Sequence, residues 1–113
     1  MNYKIMNLKE FMPTTLQALA MIEIEIKACK KEGIKVIKII HGYGSNGIGG
    51  EIKRALPLWS KKAIKNGLIS AFVKGELWLT ENDVIDKIKK ICPEILGDIE
   101  LYHANAGVSV ILI

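Results

Sequence analysis

The chain has 113 residues, half of them hydrophobic, only 6% aromatic, and a formal charge of +4 at neutral pH. A single domain of this length buries roughly 60–70% of its unfolded surface, so no disulfide or metal staple is required, and the apolar content argues against disorder. No run approaches the roughly 20 apolar residues that span a bilayer, and the first residues lead into no apolar stretch with a cleavage site. The expectation is one cytoplasmic domain over residues 1–113 with no membrane partner. Its two cysteines, Cys29 and Cys92, lie far apart in sequence and are expected as reduced core thiols.

Residues 3–8 alternate loosely and read as an edge strand that ends before Pro13. From Thr14 or Thr15, both good N-caps, apolar residues recur at Leu16, Leu19, Ile22, Ile26 and Cys29, a helical spacing of about four turns stopped by Gly33. Residues 22–26 alternate with period two, but their flanks are helical and the helix prevails. Residues 34–40 are dominated by β-branched side chains and form the clearest strand, buried on both faces near its end. Five glycines then fall within residues 42–50, before Ile52, Leu56, Trp59 and Ala63 mark the stripe of a second helix. Pro57 inside that stripe predicts a kink or a split, because proline removes a hydrogen bond and clashes with the preceding turn.

Beyond Gly67, residues 68–73 read as a third strand. Thr80 and Asp83 suggest a capping box for a third helix, with Val84, Ile88 and Ile91 at helical spacing up to Pro93. Residues 94–106 read as loop and residues 108–113 as a last strand. The order β-α-β-α-β-(α)-β predicts an α/β fold, a two-layer sandwich with a mixed four-stranded sheet, in which the third helix is free to cover the other face or an edge. Whether strands one and four pair is left open.

The chemistry concentrates where the second strand enters the glycine-rich turn. A strand leading through glycines into a helix aims backbone N–H groups and the positive end of the helix dipole at an anion. Gly42, Tyr43, Gly44, Ser45, Asn46 and Gly47 are the expected phosphate-binding turn, and Lys53 and Arg54 can add charge-assisted contacts. The same six residues satisfy GxGxxG, but no acidic residue follows at ribose-binding distance and the chain is too short for two mononucleotide halves. His41 stands at the carboxyl edge of the strand, where it can serve as general acid or base, bind phosphate, or pin the turn through main-chain bonds. Tyr43, Trp78 and Tyr102 are candidates for stacking on bases, and Trp59 belongs to the helix stripe. No His/Cys/Asp cluster has ligand spacing, so no metal or cofactor is expected, magnesium entering only with a nuclease reaction. Between residues 27 and 74, eleven basic side chains face two acidic ones, which suggests a positive surface for a polyanion.

Residues 36–44, ending in His41-Gly42-Tyr43-Gly44, together with Ile52-Lys53, Trp59, Ala71-Phe72 and Gly107-Val108-Ser109-Val110, resemble the Small MutS-Related (Smr) domain. The resemblance implies a fold like the C-terminal domain of bacterial translation initiation factor three, binding of DNA or RNA and, in some members, their nicking or cleavage. By motif His41, Gly42 and Gly44 carry over, and Lys53 stands where arginine is usual. Where the family has LDxH this chain has Met6-Asn7-Leu8-Lys9, so the aspartate and histidine are replaced by Asn7 and Lys9. Asparagine takes up no proton and lysine is a poor base, although Lys9 can bind phosphate. The glycine loop is longer than is common and a helix over residues 81–92 looks inserted. The expectation is therefore a nucleic-acid-binding domain that reads backbone or shape. A nicking endonuclease using His41, and a module for a nucleotide or protein partner, remain as alternatives, with oligomeric state open.

Overall fold

Strand β2 (Val36–Ile40) is flanked on one side by β1 (Tyr3–Asn7), which runs parallel to it, and on the other by β4 (Val108–Leu112), which runs antiparallel. Strand β3 (Ala71–Lys74) closes the sheet against β4, giving the order β1-β2-β4-β3. A computed structural model describes residues 2–43 and 48–113. The sheet is mixed and four-stranded, β1 is an edge strand, and β2 separates it from β4, which settles the pairing that the sequence left open.

Alternation along β2 and β4 sends side chains to two cores. Ile37, Ile39 and Ile111 meet Ala18, Ile22 and Ile26 of helix α1 (Thr15–Glu32) and Ile52, Leu56 and Ala63 of α2 (Ile48–Lys65), forming the sandwich. Val36, Val110 and Leu112 face the other way, onto Trp78, Ile85, Ile88 and Leu101. Helix α3 (Asp83–Ile91) therefore covers the second face, one of the two places foreseen for it. The two cysteines are free and buried, one in each core, and burial raises both thiols above their usual pKa. No helix among the described residues is long and apolar enough to cross a membrane.

Helix α1 begins with a capping box in which Thr14 Oγ1 accepts from the Gln17 N–H at 3.2 Å and Gln17 Oε1 accepts from the Thr14 N–H at 2.9 Å. It ends at Gly33, whose φ of +75° terminates the helix in the left-handed conformation. The alternating residues 22–26 are helical, as their flanks required, and the helix runs 18 residues rather than four turns. Its stripe differs from expectation at one position: Leu16 is 81% exposed, and Ala18 takes its place in the core.

Other departures are local. Helix α2 continues through Pro57 without dividing, and the Ser60 hydroxyl donates to the Pro57 carbonyl at 2.7 Å within it. It starts at Ile48, so residues 48–50 belong to the helix and not to a loop. The cap of α3 is Asn82, whose Oδ1 accepts from the Val84 N–H at 2.8 Å, while the Thr80 hydroxyl donates to the Leu77 carbonyl instead. Residues expected as loop contain two 3₁₀ turns, Pro93–Gly97 and Leu101–His103, which carry Ile95 and Leu101 into the second core. Trp78, expected to be available for stacking, is fully buried, edge-on to Tyr102 with ring centroids 6.4 Å apart. Both rings pack within or against that core, because the apolar side of α3 needs large partners.

Candidate nucleic-acid interface

The carboxyl end of β2 is where the sequence placed its chemistry, and there the backbone is tightly specified. Gly107, the residue before β4, accepts at its carbonyl from the N–H of His41 at 3.0 Å and from that of Gly42 at 2.9 Å. Gly42 has φ of +80°, a conformation open to glycine and strained for other residues. These bonds splice the turn after β2 to the turn before β4. They also occupy the N–H groups of His41 and Gly42, leaving Tyr43 and the first turn of α2 as the main-chain donors nearby among the described residues.

His41 is buried, with 2% of its surface exposed, and lies on the α1/α2 side of the sheet. Its Nδ1 is 2.8 Å from the Gly42 carbonyl, which can only accept, so Nδ1 carries the proton in the neutral ring. Nε2, 3.0 Å from Ser109 Oγ, then accepts from that hydroxyl. Burial lowers the pKa of His41, with Lys53 adding to the effect, while the Gly42 carbonyl and Glu76 oppose it. Both ring nitrogens are thus engaged inside the protein, the arrangement of a histidine that pins a turn.

Around this pin stand side chains from five segments. Asn7 Oδ1 accepts from the Lys9 N–H at 3.0 Å and holds the 3₁₀ turn Leu8–Glu10, from which the Lys9 stem reaches across the face of Gly42. A Cβ on Gly42 would lie 3.5 Å from Lys9 Cδ. Tyr43 is 63% exposed, and its hydroxyl donates to Asn105 Oδ1, which also accepts from the Gly107 N–H at 2.8 Å. Lys53, on α2, is bound by both carboxylate oxygens of Glu76, at 3.1 and 2.8 Å. Burial opposes the Glu76 carboxylate, but its bond to Lys53 and nearby positive charge prevail and its pKa is lowered. Arg54 is exposed and joins no ion pair among the described residues.

Of the residues singled out from the sequence, Lys9, His41, Gly42 and Tyr43 come together at this edge with Lys53 nearby, and Arg54 follows on the outer surface of α2. Gly44, Ser45, Asn46 and Gly47 lie outside the described residues. Sequence reasoning missed three partners. Ser109 is a polar residue in an otherwise apolar strand, which was the available signal. Asn105 had no signal beyond its place beside Gly107. Glu76 was hidden because it lies 23 positions after Lys53, beyond the rest of α2 and the whole of β3.

Gly75 joins the site for a steric reason: a Cβ there would sit 2.2 Å from the Asn105 carbonyl oxygen and 2.6 Å from that of Val108. Only glycine lets the 3₁₀ turn Gly75–Leu77 press against the turn before β4, and this approach delivers Glu76 to Lys53. Among the described residues no group of three or more His, Cys, Asp or Glu is placed to hold a metal ion.

The family model of the Smr domain matches residues 7–87, more than half of the chain, from the end of β1 through the glycine turn and α2 into α3. No curated protein and no solved structure matches the chain. The matched segment contains the His41-Gly42-Tyr43-Gly44 turn and the Lys9 turn that packs on it, while the closing turn at Gly107 and β4 lie beyond it. The chain belongs to the Smr domain family, a family of nucleic-acid-binding or nuclease-like modules.

Proposed function

We propose that this domain binds DNA or RNA by its phosphate backbone or shape, at the edge where the glycine turn enters α2, and that it binds without needing to cut. The observation that carries the reading is the packing of Lys9 over Gly42, with exposed Tyr43 next in the chain on the way to α2. Lysine, main-chain N–H groups and a helix N-terminus are the donors that phosphate takes, and an exposed aromatic can stack on a base. Ser45, Asn46 and the glycines at 44 and 47 belong to this proposed cradle by their place in the sequence. Arg54, in the first half of α2, supplies a further charged contact.

In this reading His41 shapes the turn and does not move protons, because each ring nitrogen has an internal partner and burial favours the neutral ring. Asn7 likewise holds the Lys9 turn through its amide oxygen. No cofactor is assigned.

Binding measured by anisotropy against single- and double-stranded DNA and RNA tests the proposal. Affinity is expected to fall with salt with a log–log slope of roughly −3 to −5, the signature of about three to six phosphates. Salt-independent binding, or none to any of the four, overturns it. Incubation with supercoiled plasmid and structured RNA separates holding from cutting: cleavage by the wild-type chain that disappears in His41→Ala would replace this reading with the nuclease one.

A further inference from the structure

Helix α1 has two apolar faces and the fold uses one. Ala18, Ile22, Ile26 and Cys29 turn inward and are buried. At 100° per residue, Leu16, Ala20, Ile24 and Ala28 fall on an arc centred opposite them, and all four are exposed, Leu16 by 81% and Ile24 by 68%. Phe11, just before the helix, is exposed by 66% and lines one surface cavity together with Ile24. Contiguous apolar surface of this kind marks a contact with another macromolecule.

The four residues form an i, i+4 row, the ridge with which helices most often pack on one another. Along the row, size alternates: large, small, large, small. We propose that a second copy of this chain covers the face, its α1 crossing antiparallel about a two-fold axis level with position 22. Reversing the row in that register sets Leu16 against Ala28 of the second copy and Ile24 against its Ala20, so every large side chain meets a small one. A parallel arrangement sets leucine on leucine and isoleucine on isoleucine and leaves gaps at the alanines.

Charge favours the same orientation. Residues 15–22 carry no charged side chain, whereas Lys27 and Lys31 lie on the outer arc of the second half. The antiparallel pairing puts those lysines beside the uncharged half of the other helix, and a parallel one would set each beside its own equivalent. An isologous contact requires this self-complementarity, because residue i meets j and j meets i. The pair would present two glycine turns on one particle. The inference does not depend on nucleic-acid binding, and its test uses none.

Sedimentation equilibrium of the 113-residue chain from about 1 μM to about 1 mM reads the association directly. The mass is expected to rise from one chain to two across this range, and Leu16→Asp and Ile24→Asp, both at exposed positions, are expected to hold it at one chain with unfolding temperature unchanged. Ala20→Ile is expected to weaken the dimer at least about tenfold by setting large against large, and the double variant Ala20→Ile/Ile24→Ala to restore it. A chain that stays monomeric throughout, or a dimer indifferent to the aspartates, overturns the proposal. Failure of the double variant to recover the dimer overturns the antiparallel register.

Discussion

Two polar side chains are buried on β2 or at its end, one on each side of the sheet, and the protein treats them differently. Lys38, on the α3 side, is 3% exposed, and its Nζ meets Asp98 at 2.7 Å and Glu100 at 2.6 Å. Tyr3 donates to the same Asp98 at 2.6 Å. Burial works against the Asp98 carboxylate, but the bonds from Lys38 and Tyr3 prevail and lower its pKa; burial first, and then Asp98, raise that of Tyr3. His41, on the other side, is neutral and bound to a carbonyl and a hydroxyl. The first cluster ties residues 98–100 onto the sheet and includes none of the turn residues 41–43. The second shapes a turn beside exposed Lys9 and Tyr43. A buried charge held by a buried carboxylate is a fastening, and a neutral side chain that orders backbone next to open surface is the foundation of a candidate site.

That contrast can be broken by variants, beginning with the most severe. Asp98→Ala leaves a buried ammonium with only the part-exposed Glu100 as partner, and a loss of about 3–5 kcal/mol in urea unfolding is expected, with affinity of the surviving folded protein for nucleic acid unchanged. Should binding fall in that variant, the two clusters are not separate. His41→Gln is expected to lose about 1–3 kcal/mol and also to weaken binding, since the turn loses its pin.

The pH dependence sharpens the point. The folded-state pKa of His41 lies below the ordinary 6.5, so between them the unfolded chain holds more protons than the folded one. The stability contributed by the neutral ring is complete above pH 6.5 and is lost as pH falls through the folded-state value. Asp98 and Glu76 contribute in the same direction, but below the ordinary carboxylate range. Melting temperature should therefore fall between pH 7 and pH 5.5 more steeply in the wild-type chain than in His41→Gln; equal slopes would remove His41 from the account.

Milder still, Glu76→Gln frees the Lys53 ammonium at the edge of the site. Stability is expected to change little, and the salt slope of binding to steepen by about 0.9 as one more phosphate is neutralised. Lys9→Ala and Arg54→Ala each remove one contact and are expected to flatten the slope by about the same amount, across all sequences alike. A sequence-dependent effect of either would show base reading and not phosphate holding.

The parts of the molecule legible from its sequence are those set by local chemistry. β-Branched residues made β2, Thr14 and Gly33 bounded α1, and Ile52, Leu56 and Ala63 marked the inner stripe of α2. Thr80 misled because a capping sequence does not decide between two adjacent caps, and Asn82 offered the better acceptor. Trp78 and Leu16 exchanged their expected surroundings for one reason: helical and loop residues were assigned by spacing within one segment, while burial depends on which segment packs opposite. Of the site, Lys9, His41 and Gly42 could be read in line, but Ser109, Gly107 and Glu76 reach it through strand order, and order across a sheet is not written in any single stretch.

Strand β4 lies between β2 and β3, although it is the last of the four in chain order. During synthesis, β2 and β3 can each emerge with their helices, yet neither has its common neighbour until residues 108–112 have left the ribosome. The sheet therefore closes by a late insertion spanning contacts as distant as Val36 with Leu112, a long-range step of the kind that slows folding. Gly107 arrives with that strand, and its carbonyl anchors His41 and Gly42. The turn at His41 and Gly42 thus gains its shape in the same event that completes the fold, and a nascent chain halted before position 107 carries the motif without the geometry.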